Sequence, residues 1–120
     1  MPTTIITSGR LTGTPELKTD DAGKVSCWAR IIVHDRRAGG RRGSAAASAT
    51  GYDVYLTGET AERLVDVATR CGDVNLIVAG ALRTEDFARR DGTTGQARRV
   101  FADFIGVSLL GQRTTVEKDR

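Results

Sequence analysis

The chain has 120 residues, of which 39% are hydrophobic and 28% charged, and its formal net charge is +3. This composition is typical of one globular domain with a modest core and argues against a disordered or membrane protein. No apolar run approaches the roughly 20 residues of a membrane-spanning helix, and the N-terminus has no basic segment followed by an apolar one. We therefore expect a cytoplasmic protein without a membrane partner.

Two long strands are predicted in the first third of the chain. Residues 3–13 are rich in β-branched side chains, with a bend expected at Gly9. Residues 24–36 alternate cleanly, so that one parity is apolar while the other carries Trp28 and Arg30. A tryptophan beside an arginine suits a surface that touches a ligand, although Trp28 could instead pack inside while Arg30 extends its guanidinium to solvent.

A loop, a third strand and a helix follow. Residues 38–48 contain glycine, alanine, serine and two arginines without apolar anchors, which predicts a positively charged loop. Residues 50–57 predict a strand that places Tyr52 and Tyr55 on opposite faces. Residues 58–72 carry an apolar stripe at helical spacing and end in a glycine, which predicts a single helix whose apolar side covers the core.

The fourth predicted strand, residues 73–87, is apolar on both parities and is therefore expected at the centre of the sheet. Gly80 interrupts its side chains and indicates a bulge, a barrel corner or a close backbone approach. The strand leaves the core carrying Arg83 and ends in Phe87, and both side chains could contact a charged ligand. Alternatively, Arg83 is merely solvated and Phe87 covers the edge of the core.

A turn centred on Asp91 is predicted over residues 88–99, followed by a fifth strand over residues 100–110. The order is three strands, one helix and two strands, which predicts an all-β fold: a five-stranded Greek-key barrel of the OB-fold type, with the helix between strands 3 and 4. Other small α+β layouts would also fit this order. We expect one domain over residues 1–112 and a frayed charged tail over residues 113–120.

The basic residues cluster in two places, the glycine-rich loop and the second turn, which favours a polyanionic partner. They are Arg36, Arg37, Arg41, Arg42, Arg89, Arg90, Arg98 and Arg99. The lone His34 cannot complete a nucleophile, base and orienter, so we expect a binding protein without cofactor or metal rather than an enzyme. Cys27 falls on the core parity and Cys71 near the surface; we expect free thiols, with a disulfide between two copies through Cys71 as an alternative.

Four segments, taken in order and spacing, resemble bacterial single-stranded-DNA-binding proteins. They are Gly9-Arg10-Leu11 with residues 15–18, residues 31–33 before Arg36, residues 58–62 and residues 80–84. The resemblance covers roughly residues 3–110. It implies an OB-fold homotetramer at the nucleoid that binds single-stranded DNA of any sequence during replication, recombination and repair, through basic grooves and stacking aromatics.

The resemblance also assigns site residues. Phe87 falls where the family has a stacking aromatic after its fourth strand, Arg83 stands beside it, and Gly51 or Tyr52 stands where the family has a third-strand tryptophan. Together with the residues singled out above, the predicted DNA-binding set is Trp28, Arg30, Arg36, Arg37, Arg41, Arg42, Tyr52, Arg83, Phe87, Arg89, Arg90, Arg98 and Arg99.

The sequence departs from the family pattern in two ways. Aromatic residues are only 5% of the chain, and Thr57 stands where the family often has another aromatic. Each stacked base contributes about 1–3 kcal/mol, so lost stackers weaken binding unless Trp28 or the arginines compensate. The family's linker and acidic partner-recruiting tip are missing after Arg120, which suggests a core domain or a short, divergent paralog. An OB-fold adaptor, or a paralog that binds RNA or an oligosaccharide, is the alternative.

Overall fold

The computed structural model describes residues 3–34 and 49–118. Within these ranges the chain forms six strands and one helix: β1 (Thr3–Leu11), β2 (Lys18–Thr19), β3 (Val25–His34), β4 (Ala49–Thr57), α1 (Gly58–Cys71), β5 (Asn75–Ala88) and β6 (Thr94–Val107). The predictions about Arg36, Arg37, Arg41 and Arg42 lie outside the described residues.

The strands form one sheet in the order β1-β5-β6-β4-β3-β2, and an additional β1–β3 pairing closes it into a barrel. Neighbouring strands are antiparallel except for β4 and β6, which pair in parallel. The predicted all-β class is confirmed, with the helix after the third long strand. The two-residue β2 was not predicted, because residues 18–19 are exposed and have no apolar pattern.

The barrel interior is filled by aliphatic side chains from all the long strands. The largest fully buried ones are Leu11, Ile31, Leu76, Val54, Val78 and Val100. Helix α1 adds Ala61, Leu64 and Ala68 from its buried stripe, so its predicted role as a cover for the core is confirmed. Both predicted cysteine environments are confirmed: Cys27, on the core parity of β3, is buried, which raises the pKa of its thiol, and Cys71, at the end of α1, is exposed.

A β-bulge at Gly80 determines which side chains of β6 face outward. The β5–β6 register shifts between Ala79 and Gly80, because Ala79 pairs with Phe104 whereas Gly80 pairs with Ala102. A Cβ at position 80 would overlap the Phe101 carbonyl, so only glycine permits this approach. The extra residue on β6 reverses its alternation, and Phe101 and Phe104 therefore both lie on the outer face.

The end of the β5–β6 hairpin is longer than predicted. Residues 88–99 were expected to form a turn, but the ladder continues to the Ala88–Thr94 pair and the turn is confined to residues 89–93. The turn centred on Asp91 is confirmed. Its predicted bounds were wrong because the hairpin beyond Arg83 leaves the core, so its side chains carry no burial pattern that distinguishes strand from loop. We call residues 83–99 the hairpin arm. At Arg10, β1 pairs with both β5 and β3, and the bend expected at the preceding Gly9 stays a prediction.

Candidate nucleic-acid interface

Three aromatic rings lie side by side on the outer face of the barrel. Trp28, Tyr55 and Phe101 occupy directly paired positions on β3, β4 and β6. Their ring centroids are 4.9 Å apart for Trp28–Tyr55, 5.9 Å for Trp28–Phe101 and 5.7 Å for Tyr55–Phe101. Trp28 keeps 42% of its surface exposed. This aromatic cluster therefore offers ring surface to a ligand, which supports the ligand-facing interpretation of Trp28.

A row of charged residues runs beside the aromatic cluster across the same strands. Arg83, Arg99, Asp53 and Arg30 pair in that order on β5, β6, β4 and β3. Arg30 donates from Nη1 to Asp53 Oδ1 at 3.0 Å, Arg99 contacts Glu85, and the Arg83 guanidinium carbon lies 5.8 Å from the Phe101 ring centroid. We call these four residues the charged row. Cations and π-surfaces are thus interleaved on one face.

Gly51 explains where the Arg30 side chain lies. A Cβ at position 51 would come within 2.9 Å of the Arg30 guanidinium carbon, so Arg30 uses space that any larger residue would fill. Position 51 shares the outward parity of Asp53, whereas Tyr52 packs against the hydrophobic core. The outward side of β4 at position 51 is therefore occupied by a guanidinium, which can also stack on a base.

The structure brings together a different set of aromatics from the predicted one. Tyr52 faces the core, and its proposed role in binding stays a prediction. Tyr55 and Phe101, which we had not included in the site, complete the aromatic cluster with Trp28. The parity of β4 could have identified Tyr55 once Tyr52 was assigned to the core. No local signal identifies Phe101, because its neighbours on the face come from distant strands.

The hairpin arm carries a second aromatic site. Phe87 is 46% exposed and pairs with Gly95, whose Cβ would lie 2.7 Å from the ring. The Arg89 guanidinium carbon lies 5.5 Å from the ring centroid, and Arg89 donates to Thr93 Oγ1 at 3.3 Å and to the Thr94 carbonyl at 3.1 Å. Phe87 therefore lies on the arm, between a glycine backbone and an arginine, and is not among the residues that pack on the core.

The remaining predicted arginines of the arm are divided between its two faces. Arg99 shares the outward face with Arg83 and Phe87, whereas Arg98 has the opposite parity and donates to Gln96 Oε1 at 3.1 Å. Arg90 is exposed in the turn. The turn itself is fixed by Asp91, whose Oδ1 accepts from the Thr93 amide at 2.9 Å and from Thr93 Oγ1 at 2.7 Å. These hydrogen bonds lower the pKa of the Asp91 carboxyl.

Over residues 3–34 and 49–118, no helix is long and apolar enough to cross a membrane. In the same part of the chain, no group of three or more His, Cys, Asp or Glu residues could hold a metal ion.

A closed barrel that presents exposed rings and interleaved arginines belongs to the class of OB-fold nucleic-acid-binding proteins. The sequence matches the single-strand binding protein family over residues 2–108, and the chain belongs to that family. Members of the family bind single-stranded DNA and are not enzymes, so this chain is a single-stranded-DNA-binding protein without catalytic activity.

The fold has a clear structural relative. The crystal structure of the small single-stranded DNA-binding protein from Streptomyces coelicolor superposes with a TM-score of 0.69, covering 91% of this chain and 96% of that chain at 18% sequence identity. At that identity the likeness supports the fold alone. A search of curated proteins gave no match.

Proposed function

We propose that the chain binds single-stranded DNA without requiring a particular sequence, by stacking bases on the aromatic cluster and on Phe87 while arginines neutralise the phosphates. The observation that carries this proposal is the partly exposed cluster of Trp28, Tyr55 and Phe101 beside the charged row. Every base has a π-face and every nucleotide a phosphate, so this chemistry tolerates all sequences.

The two aromatic sites are joined by one face of β5. Arg83, Glu85 and Phe87 alternate outward along the strand, so about 13 Å separates Arg83 at the barrel from Phe87 on the arm. A flexible strand that stacks on the aromatic cluster can follow this face to Phe87 and Arg89. The pairing of Arg99 with Glu85 holds a guanidinium near this path.

Two carboxylates make the proposed DNA path less basic than its arginine content suggests. Asp53 pairs with Arg30, and Glu85 pairs with Arg99. We therefore infer that stacking contributes a larger share of the affinity than it would on a purely basic groove.

The test is a titration of intrinsic fluorescence with oligo-dT. Trp28 is the only tryptophan, so quenching reports on the aromatic cluster directly. We expect quenching that saturates together with the rise in anisotropy of a labelled oligonucleotide. The variant Trp28→Phe should lose the fluorescence signal but keep most of the anisotropy change. A rise in anisotropy without any quenching would mean that DNA binds away from this face. The absence of both the anisotropy change and the quenching would overturn the proposal.

Competition identifies the nucleic acid. Unlabelled oligo-dT, oligo-U and a neutral glycan are each added to the complex with labelled oligo-dT. We expect oligo-dT to displace the label at the lowest concentration, as proposed roles in replication, recombination and repair at the nucleoid require. Stronger displacement by oligo-U would instead establish an RNA-binding protein, and displacement by the glycan would establish an oligosaccharide-binding one.

We further propose that the chain assembles into a homotetramer through an apolar patch on its outer surface. Ile6, Ala79 and Phe104 form a directly paired row across β1, β5 and β6, and Ile77 is close to it on β5. Ile6 is 74% and Phe104 75% exposed. Contiguous exposed apolar side chains on a sheet mark an interaction surface. A sheet face that packs against the same face of a second copy is self-complementary, as a two-fold interface must be. This contact closes a dimer, and two such dimers must pair through a second interface to make the proposed tetramer.

A further inference from the structure

A shallow depression of about 490 Å³ lies at the junction of the aromatic cluster and the charged row. Two of its lining residues, Trp28 and Phe101, are aromatic, and the other two, Asp53 and Arg99, are charged with opposite signs. A volume in this range is typical of small-ligand sites. The depression thus combines apolar walls with one acceptor-only and one donor-only side chain.

The carboxylate of Asp53 is unexpected on a surface for a polyanion, because it repels phosphate. Its contact with Arg30 explains part of its presence, since Oδ1 accepts from Nη1 at 3.0 Å. An ionised carboxylate has two oxygens and about four acceptor sites, so one arginine contact does not use its capacity. Asp53 also lines the depression, where an inserted base would present N–H donors rather than phosphate.

We propose that this depression binds a single unpaired base and prefers guanine, with Asp53 as the specificity-determining residue. Guanine presents two adjacent donors, N1–H and the 2-amino group, on its Watson–Crick edge, and a carboxylate accepts both in parallel. Its O6 is an acceptor that matches the Arg99 guanidinium. Asp53 and Arg99 are direct cross-strand partners, so a single base edge can reach both while its ring lies against Trp28 or Phe101.

The other bases fit the pair of charged groups less well. Thymine has one ring N–H between two carbonyl oxygens, and those oxygens would face the carboxylate. Cytosine and adenine each offer one amino group beside an unprotonated ring nitrogen, so they lose the second hydrogen bond. The preference therefore arises from the donor pair, and it adds to the sequence-tolerant stacking without replacing it.

This inference rests on the proposed binding of single-stranded DNA, and its test separates the two. Three oligonucleotides are compared by anisotropy at constant salt: oligo-dT, the same oligomer with isolated guanines that cannot form four-stranded structures, and the same oligomer with hypoxanthine at those positions. Hypoxanthine lacks only the 2-amino group. Tight binding of oligo-dT tests the proposed function, whereas the ratios between oligomers test the guanine preference.

We expect the guanine oligomer to bind about fivefold or more tightly than oligo-dT, as a bidentate base contact does, and hypoxanthine to lose most of that gain. Asp53→Asn should abolish the ratio between the guanine and thymine oligomers, because the amide presents an N–H donor in place of one acceptor oxygen and cannot accept both guanine donors. Asp66→Asn is the matched control: it removes the same charge from an exposed helix position that pairs with Arg70, and it should leave every ratio unchanged.

Three results would overturn the inference. The first is equal affinity of the wild-type chain for the thymine and guanine oligomers. The second is equal affinity for guanine and hypoxanthine, which would exclude the two-donor contact. The third is a similar loss for all oligomers in Asp53→Asn, which would show that Asp53 only orients Arg30.

Discussion

Gly51 has no side chain, and this leaves the space in which the Arg30 guanidinium lies on the proposed binding face. Gly51→Ala places a methyl group where the Arg30 guanidinium lies, and the flexible end of Arg30 has to move away from Asp53. The Arg30–Asp53 pair is exposed and contributes at most about 1 kcal/mol to stability. We therefore expect weaker binding of oligo-dT with a nearly unchanged melting temperature, measured by anisotropy and thermal denaturation.

The control for this variant is Gly106→Ala on the outer face of β6, where an added Cβ meets no atom within 4 Å. It should change neither property. If Gly51→Ala bound oligo-dT as the wild type does, Arg30 would not belong to the site. A large fall in melting temperature would instead mean that position 51 is constrained by packing rather than by the arginine.

The hairpin arm is an element whose function and stability can be separated. Phe87→Ala removes a ring that lies outside the core, and we expect a loss of about 1–3 kcal/mol in binding with little change in melting temperature. Gly95→Ala should reproduce part of this loss, since its methyl group would overlap both the Phe87 ring and the Arg89 guanidinium. The double variant should lose less binding than the sum of the two single losses, because both changes act on the Phe87 ring.

Leu110→Ala, at a residue that is 80% exposed, is the apolar control and should leave binding and melting unchanged. Additive losses in the double variant would show that Gly95 affects binding independently of Phe87. If Phe87→Ala lowered the melting temperature as much as the truncation of a core residue does, Phe87 would be a residue that covers the edge of the core.

The elements differ in how far their sequences determine them. Helix α1 and the buried segment of β3 follow from periodicity alone, because each buries one stripe or parity in the core. The buried segment of β5 follows instead from its continuous apolar run, of which only the parity of Leu76 and Val78 is buried while Ile77 is exposed. The arm was missed because its side chains are largely exposed. The aromatic cluster was found only in part: Trp28 stands out by composition, but Phe101 joins it through the parallel β4–β6 pairing and the bulge at Gly80. Neither feature leaves a local signature in β6.

Electrostatics acts at the scale of the whole molecule. If arginines of the face and arm contact phosphates, each contact adds about 0.7 to the negative slope of log affinity against log salt for single strands. We expect a slope of several times that value for oligo-dT, and a shallower slope for Arg83→Gln, measured by anisotropy over a salt series. A slope near zero would contradict phosphate binding and would leave stacking as the main source of affinity.

Assembly is the other property of the whole molecule, and the face proposed for it differs from the face proposed to bind DNA. Phe104 and Ile6 lie on β6 and β1 beyond the bulge, whereas the aromatic cluster lies on β3, β4 and the part of β6 before it. We expect light scattering after size exclusion to give a tetramer for the wild type. Phe104→Ser should shift it towards smaller species, because it removes the large exposed ring at the β6 end of the apolar patch.

Val116→Ser is the matched control, at a residue that is 74% exposed outside the patch, and it should not change the mass. Binding of a short oligo-dT that one subunit can hold should survive in Phe104→Ser, since the aromatic cluster is left intact. A longer oligonucleotide should bind less tightly to that variant, because linked sites on one assembly raise the effective concentration of the second contact. A wild-type monomer at all concentrations tested would refute the homotetramer, and the apolar patch would then face some other partner.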